Sequence, residues 1–509
     1  MAAFEAYDSM RAAPTFAHTK YLILLAGLIL WIAFRIAFPN VLIGPDVYHF
    51  KDPGCNLALG HGFTSASYVG TDSFDRKLWL SQGPIFPLAF GGFASIFGCS
   101  VDSNNMFDLA ISAVLCAEVL TLLPQSIDIR LQIAFAVALA LVLPTGGYEW
   151  PGDRPDHLAL VFLLAMPIIC NWRGITPASS LFLFLIAGLT FLISPYYGLV
   201  GGALAVTLVY HGSKLPVAQL AALVAKGVAV AAAPLLATIA IYVLIDPTSI
   251  ARFTHHTEII FNDVGFIDKL KHALFSAGMF SILWGVRWFL AIPFIIFVLA
   301  SVEPRKDWLR QASVPLALGL LLLATPMIFP RQGNYFVAIA FVAVTMSFWF
   351  LSIGGVQPRR RTAVFISGAL ILFAPLGPAS FFVLLRLIET RSSYFEERAQ
   401  IGANAAALRA AAGDKAVLVP ASHYFLFKER FDNIFNPEYL FPGYDPSDIG
   451  ASVACRAAAY GGDPFPPALD VRPSSSIIAA PSSPPVRLQL FGRRISRKYW
   501  DWDCELIRY

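Results

Sequence analysis

The chain has 509 residues, 57% of them hydrophobic and only 14% charged, with a mean hydropathy of +0.64. A soluble globular protein carries about 25% charge, so the composition as a whole excludes a soluble globular protein and points to a polytopic membrane protein. The net charge of +4 lies in short basic clusters between apolar runs, which argues against a nucleic-acid partner.

The first long apolar run, residues 21–38, lies behind Arg11 and Lys20 and is followed by no small-residue cleavage site. It reads as a retained first span rather than a signal peptide. A helical crossing needs about 20 apolar residues. Eleven candidate spans centre on 21–38, 106–123, 130–145, 157–171, 180–195, 197–211, 220–245, 281–300, 312–329, 334–353 and 363–385. With the N-terminus inside, alternate loops carry Arg130, Arg173, Lys214, the group Arg305, Lys306 and Arg310, and the run Arg359, Arg360 and Arg361. Basic residues in short loops mark the cytoplasmic side. The stretches 39–105, 246–280 and everything after about 386 then face outward, with YEWPGDRPDH and PRQGN. The apolar stretch 85–98 contains Pro87 and three glycines. It suits an interfacial helix inside the outer first loop better than a crossing.

Beyond residue 386 the character becomes soluble. ERAQIGANAAALRAAAG reads as an exposed helix and KAVLVPASHYFLF as a strand followed by a loop; prolines cluster at 464–485. The expected fold is an all-α membrane domain of about eleven spans over 1–389, with a small extracytoplasmic α+β domain over 390–509.

Six cysteines (Cys55, Cys99, Cys116, Cys170, Cys455 and Cys504) show no CxxC spacing and no zinc-ligand pattern. Cys455 and Cys504 are the cysteines of the C-terminal segment. An outward location permits a disulfide between them, with two buried free thiols as the alternative.

The outer loops collect the polar residues suited to chemistry. Asp46 follows Pro45, which also suits a turn aspartate. His49 stands three residues later, on one side of a helical turn with Asp46, where it suits a metal, a phosphate or an interfacial contact. His255, His256 and Glu258 share one loop, a candidate metal or lipid-phosphate contact. Glu118 falls inside a span, where a charge needs a partner or a cavity. No P-loop and no GxGxxG is present, and nucleotide donors are not available outside the cell, so a lipid-borne substrate is the natural donor.

Several stretches, taken in order, carry a specific resemblance. Asp46 is followed by LALGHGF, Tyr68, the amphipathic stretch ending in SIFG, RPDHLALVFLLA, AGLTFLISPYYGLVGGALAV and PRQGNYFVAIAF. This series, over roughly residues 20–345, resembles the GT-C membrane glycosyltransferases, among them protein O-mannosyltransferases and bacterial aminoarabinose transferases. The resemblance implies transfer of a sugar from a polyprenyl-phosphate donor to a glycan, lipid or protein acceptor on the outer face of a bacterial inner membrane. A divalent metal, magnesium or manganese, is compatible with it. The family's general base would correspond to Asp46, its acidic residue at the fourth span to Asp156 with Arg154 beside it, and its donor-phosphate contact to Arg331. A salt-bridged helix start for Asp156 and snorkelling for Arg331 are the alternatives. The chain departs from many relatives at Val47, at Gln82-Gly83-Pro84 and at Ser194-Pro195. The competing function is a transporter or a non-catalytic polyprenyl-phosphate-binding envelope protein. A transporter of that kind predicts helix breaks near mid-membrane, whereas a transferase predicts polar convergence at the outer mouth.

Overall fold

A computed structural model describes residues 14–38, 49–65, 78–79, 83–142, 154–251, 289–304, 307–328 and 333–374, and beyond these mainly 417–419, 424–428 and short strands up to 508. The apolar runs form helices α1 (Pro14–Ala37), α2 (Asp52–Ala58), α3 (Ile85–Phe97), α4 (Val101–Thr121), α5 (Ile129–Val142), α6 (Asp156–Arg173), α7 (Pro177–Phe191), α8 (Pro195–Gly212), α9 (Val217–Ile245), α10 (Ala291–Ala300), α11 (Trp308–Ile328) and α12 (Gly333–Ser352). Residues 361–374 are also helical.

Local chemistry sets the helix ends. The Ser100 hydroxyl accepts from the Ser103 amide at 3.1 Å at the start of α4. Thr176 and Ser179 form a reciprocal capping box at α7. Pro177 and Pro195 occupy first-turn positions, where a missing N–H leaves nothing unpaired.

Contacts between helix ends sort the molecule into two faces. Tyr21 at the start of α1 meets Thr121 at the end of α4, whereas Trp31 reaches Ala140 near the end of α5. Trp349 late in α12 donates to Asn171 late in α6, and His211 at the end of α8 meets the Arg310 carbonyl early in α11. Arg360 donates to the carbonyl of Ala300, the last residue of α10. Arg130, Arg173, Lys214, Arg310 and Arg359–Arg361 therefore gather at one end of the bundle. The starts of α4, α6, α8 and α12 lie at the other.

Among the described residues, five helices are long and apolar enough to cross a membrane: His18–Ala37, Asp156–Arg173, Val217–Ile245, Trp308–Thr325 and Tyr335–Ser352. The chain is an integral membrane protein, but the expectation of eleven spans is corrected. The run assigned to 180–195 folds as a helix of 15 residues. A helix rises about 1.5 Å per residue, so it falls short of a hydrocarbon core of about 30 Å. The run at 106–123 lies within α4, which also carries Asp102, Asp108 and Glu118.

The separate C-terminal α+β domain is corrected as well: the described structure is almost entirely helical, and the C-terminal segment does not stand apart. Its short strands are β1 (Val417–Leu418), β2 (Ile434–Phe435), β3 (Val453–Ala457), β4 (Ser476–Ala479), β5 (Gln489–Leu490), β6 (Arg493–Arg494) and β7 (Cys504–Arg508). Five of them pair in the order β2-β1-β3-β7-β4. The stretch read as a loop after β1 contains helix α13 (Tyr424–Lys428). Val417, Val419, Tyr424, Phe425, Leu426, Phe427 and Ile434 are buried in the same apolar core as the membrane helices. Phe425 packs 6.0 Å from Phe90 of α3. A domain has its own core, and this segment shares one.

The loop after the first span is held by close backbone contact. A Cβ added at Gly54 would collide with the Pro87 carbonyl and the Gly91 amide, so α2 and α3 cross where neither has a side chain. Beside this crossing Cys55 and Cys99 form a disulfide, with Cα atoms 5.7 Å apart. The bond closes a stretch of 44 residues, for which chain-entropy models give about 4 kcal/mol. In protein from its native membrane, Cys55 and Cys99 are expected to resist alkylation until reduced, and reduction should lower the thermal midpoint in detergent. Free alkylation of both without reductant would show that the loop is not tied in this way.

Candidate functional site

The first-loop helix places two adjacent, oppositely charged residues where neither touches solvent. Lys51 is fully buried and points toward α4. Its ammonium donates to Asn104 Oδ1 and to both carboxylate oxygens of Asp108, at 3.0 and 3.2 Å, and lies over the Phe90 ring at 5.4 Å. Arg35, buried in the last turn of α1, adds attraction to the same carboxylate.

Asp52, the first residue of α2, points toward the C-terminal segment. Its Oδ1 accepts from the Tyr424 hydroxyl at 2.5 Å and lies 3.3 Å from the Lys428 ammonium. Its Oδ2 accepts from Ser65 at 2.9 Å and from Asn56 at 3.3 Å. Lys428 also donates to Asn56 Oδ1 at 2.6 Å. Charges this far from water persist only when paired and hydrogen-bonded.

A second polar group lies at the mouth of the bundle. Asp156 opens α6, its Oδ2 accepting from Arg154 Nε at 2.8 Å and its Oδ1 from the Tyr197 hydroxyl at 2.6 Å. Tyr196 shares a hydrogen bond of 2.5 Å with Thr325, and its ring lies 4.4 Å from that of Tyr335. The ends of α6, α8, α11 and α12 thus meet around Asp156. The Arg154 guanidinium sits 5.7 Å over the Phe50 ring, so this mouth touches the residue next to Lys51. His49 is buried against Phe50 and Trp79, at 4.6 and 5.9 Å between rings.

Of the residues singled out from the sequence, the structure brings Arg154 and Asp156 together and sets His49 one residue from their contact, Phe50. Asp46, Arg331, His255, His256 and Glu258 lie outside the described residues. Cys455 and Cys504 fall on the antiparallel strands β3 and β7, where Cys455 stands opposite Leu506 and Cys504 opposite Ala457. Glu118 Oε2 is buried with no hydrogen-bond partner among the described residues. The sequence reading missed Lys51, Asp52, Asn104, Asp108, Tyr197, Tyr424, Lys428 and the Cys55–Cys99 bond. A signal was present in HFKDPGC, where a Lys-Asp pair stands beside an outer-loop cysteine.

The described residues do not fit a divalent cation. They include no group of three or more His, Cys, Asp or Glu side chains able to hold one, and Asp52 and Asp156 each already face a cation.

Removing one member of a buried ion pair typically costs about 3–5 kcal/mol, while an apolar replacement of both is often neutral. Lys51→Met is therefore expected to lower the thermal midpoint in detergent sharply, and Lys51→Met with Asp108→Leu to recover most of it. A single variant as stable as the wild type would show that the pair is not needed for the fold.

No protein-family model and no curated protein matches the chain. Two matching solved structures are of the Archaeoglobus fulgidus oligosaccharyltransferase. The apo form is 12% identical with a TM-score of 0.45, over 86% of this chain and 70% of that one. The complex with zinc and sulfate is 13% identical with a TM-score of 0.41, over 84% of this chain and 64% of that one. At these identities and scores the likeness assigns this chain neither a family nor an activity.

Proposed function

We propose that this protein is a membrane glycosyltransferase that moves a sugar from a polyprenyl-phosphate donor to an acceptor hydroxyl on the outer face of the membrane. The observation that carries the reading is the convergence of Arg154, Asp156 and Tyr197 with the first-loop residue Phe50 at one mouth. That mouth lies opposite the helix ends bearing Arg173, Lys214 and Arg310. A transporter of the broken-helix kind would place its polar groups near mid-membrane; these gather at helix ends. The Cys55–Cys99 bond supports an outward, oxidising location for the first loop.

In this reaction the acceptor oxygen attacks the anomeric carbon of the donor sugar. The bond from that carbon to the phosphate oxygen breaks, and the electron pair leaves with the polyprenyl phosphate. Asp46 takes the acceptor's proton as general base. Arg331 and Arg154 offer planar guanidinium forks to the phosphate, whose charge rises as it leaves. Asp156 and Tyr197 hold Arg154 in place. His49, His255, His256 and Glu258 are secondary candidates for contacts to the lipid phosphate. The acceptor is a glycan, lipid or protein hydroxyl. Asp52 and Asp156 are already paired with Lys428 and Arg154, so neither serves here as a ligand to magnesium or manganese.

Purified protein incubated with radiolabelled polyprenyl-phosphate mannose and polyprenyl-phosphate aminoarabinose is expected to consume one of these donors. Asp46→Asn should abolish transfer while leaving expression and donor binding intact, since it removes the base and keeps the shape. Arg331→Ala should chiefly weaken donor binding. Near-normal turnover by the asparagine variant would remove Asp46 from the role of base. Unchanged donor affinity would place Arg331 outside the site.

A further inference from the structure

Three consecutive residues of the first outer loop touch three different parts of the fold. Phe50 lies under Arg154 at the mouth of α6. Lys51 is held by Asn104 and Asp108 of α4. Asp52 is held by Tyr424, 372 residues away in the chain, and by Lys428, also of α13. Lys428 grips α2 twice, at Asp52 and, one helical turn on, at Asn56. Two points on one short helix fix its rotation as well as its position.

We propose that Tyr424 and Lys428 are positioning residues: through Asp52 they set where the first outer loop stands relative to Asp156 and Arg154, and so control the rate of the transfer step. The inference rests on the transferase reading, because Asp46 lies six residues before Asp52 in the same loop. Misplacing a reacting group by about 1 Å can slow a reaction about a hundredfold. The joint suits such control because its members are almost fully buried, with Asp52 at 1%, Tyr424 at 0% and Lys428 at 4% exposure. Water cannot substitute for a lost partner there, so the loop itself must shift. The C-terminal segment thereby becomes part of what holds Asp52 and Asn56 of this loop, although neither Tyr424 nor Lys428 touches substrate.

The test uses the full chain in lipid nanodiscs, with Tyr424→Phe and Lys428→Met compared with wild type. Tyr424→Phe removes one hydroxyl and keeps the ring in the core, so it provides a folded variant even if Lys428→Met does not. Three quantities are read: affinity for a radiolabelled polyprenyl-phosphate sugar, single-turnover transfer per donor-binding molecule, and amide hydrogen exchange over 49–65, 156–173 and 417–435. Transfer per donor-binding molecule should fall about ten- to a hundredfold, with donor affinity changed by less than about twofold. Exchange in 49–65 should accelerate while 156–173 keeps its protection. A purely structural role would reduce the number of binding-competent molecules and leave the rate of each unchanged; that result, or faster exchange confined to 417–435, overturns the proposal. If the wild type neither binds nor transfers any donor offered, the transferase reading fails. The exchange measurement then still decides whether α13 controls the loop.

Discussion

Lys51 and Asp52 are neighbours in sequence, opposite in charge, and both withdrawn from water. They do not neutralise each other: the lysine is drawn into α4 by Asp108 and the aspartate toward α13 by Lys428. Each pair offsets a desolvation cost that neither residue meets alone. The loop after the first span is consequently pinned between the membrane helices and the C-terminal segment. The Gly54–Gly91 crossing and the Cys55–Cys99 bond hold the same helix from a third side. If this joint fails, the mouth around Asp156 loses its neighbour Phe50, and the C-terminal segment loses its polar anchor on α2.

The bundle has chemically distinct ends. At one end Asn171, His211 and Arg360 make neutral or backbone contacts beside the basic loops. At the other, the Asp156 carboxylate, the Arg154 guanidinium and the hydroxyls of Tyr196, Tyr197 and Thr325 are brought into hydrogen bonds where α6, α8 and α11 meet.

The membrane class, the first span and the division of basic from polar loops were legible in the composition and the spacing of the apolar runs. The number of crossings was not. A hydropathy run records how many apolar residues are adjacent, not how many form one unbroken helix, so 180–195 counted as a span yet folds as a helix of 15 residues. The C-terminal strands invited a separate domain, yet YFLFK buries its tyrosine and phenylalanines in the common core. Arg154 and Asp156 were visible as a pair because they stand two residues apart.

Local sequence was sufficient for what depends on neighbours along the chain: the helix over IFPLAFGGFASIF and the first apolar helix. Only the tertiary structure decided which partners the buried charges take. Lys51 meets residues 53 and 57 positions away, and Asp52 meets one 372 positions away. Cys55 and Cys99 likewise pair with each other across 44 residues. A charge shows in a sequence as a type and a position, whereas its place in a fold follows from the geometry of burial, which is settled only when distant segments pack together and exclude water.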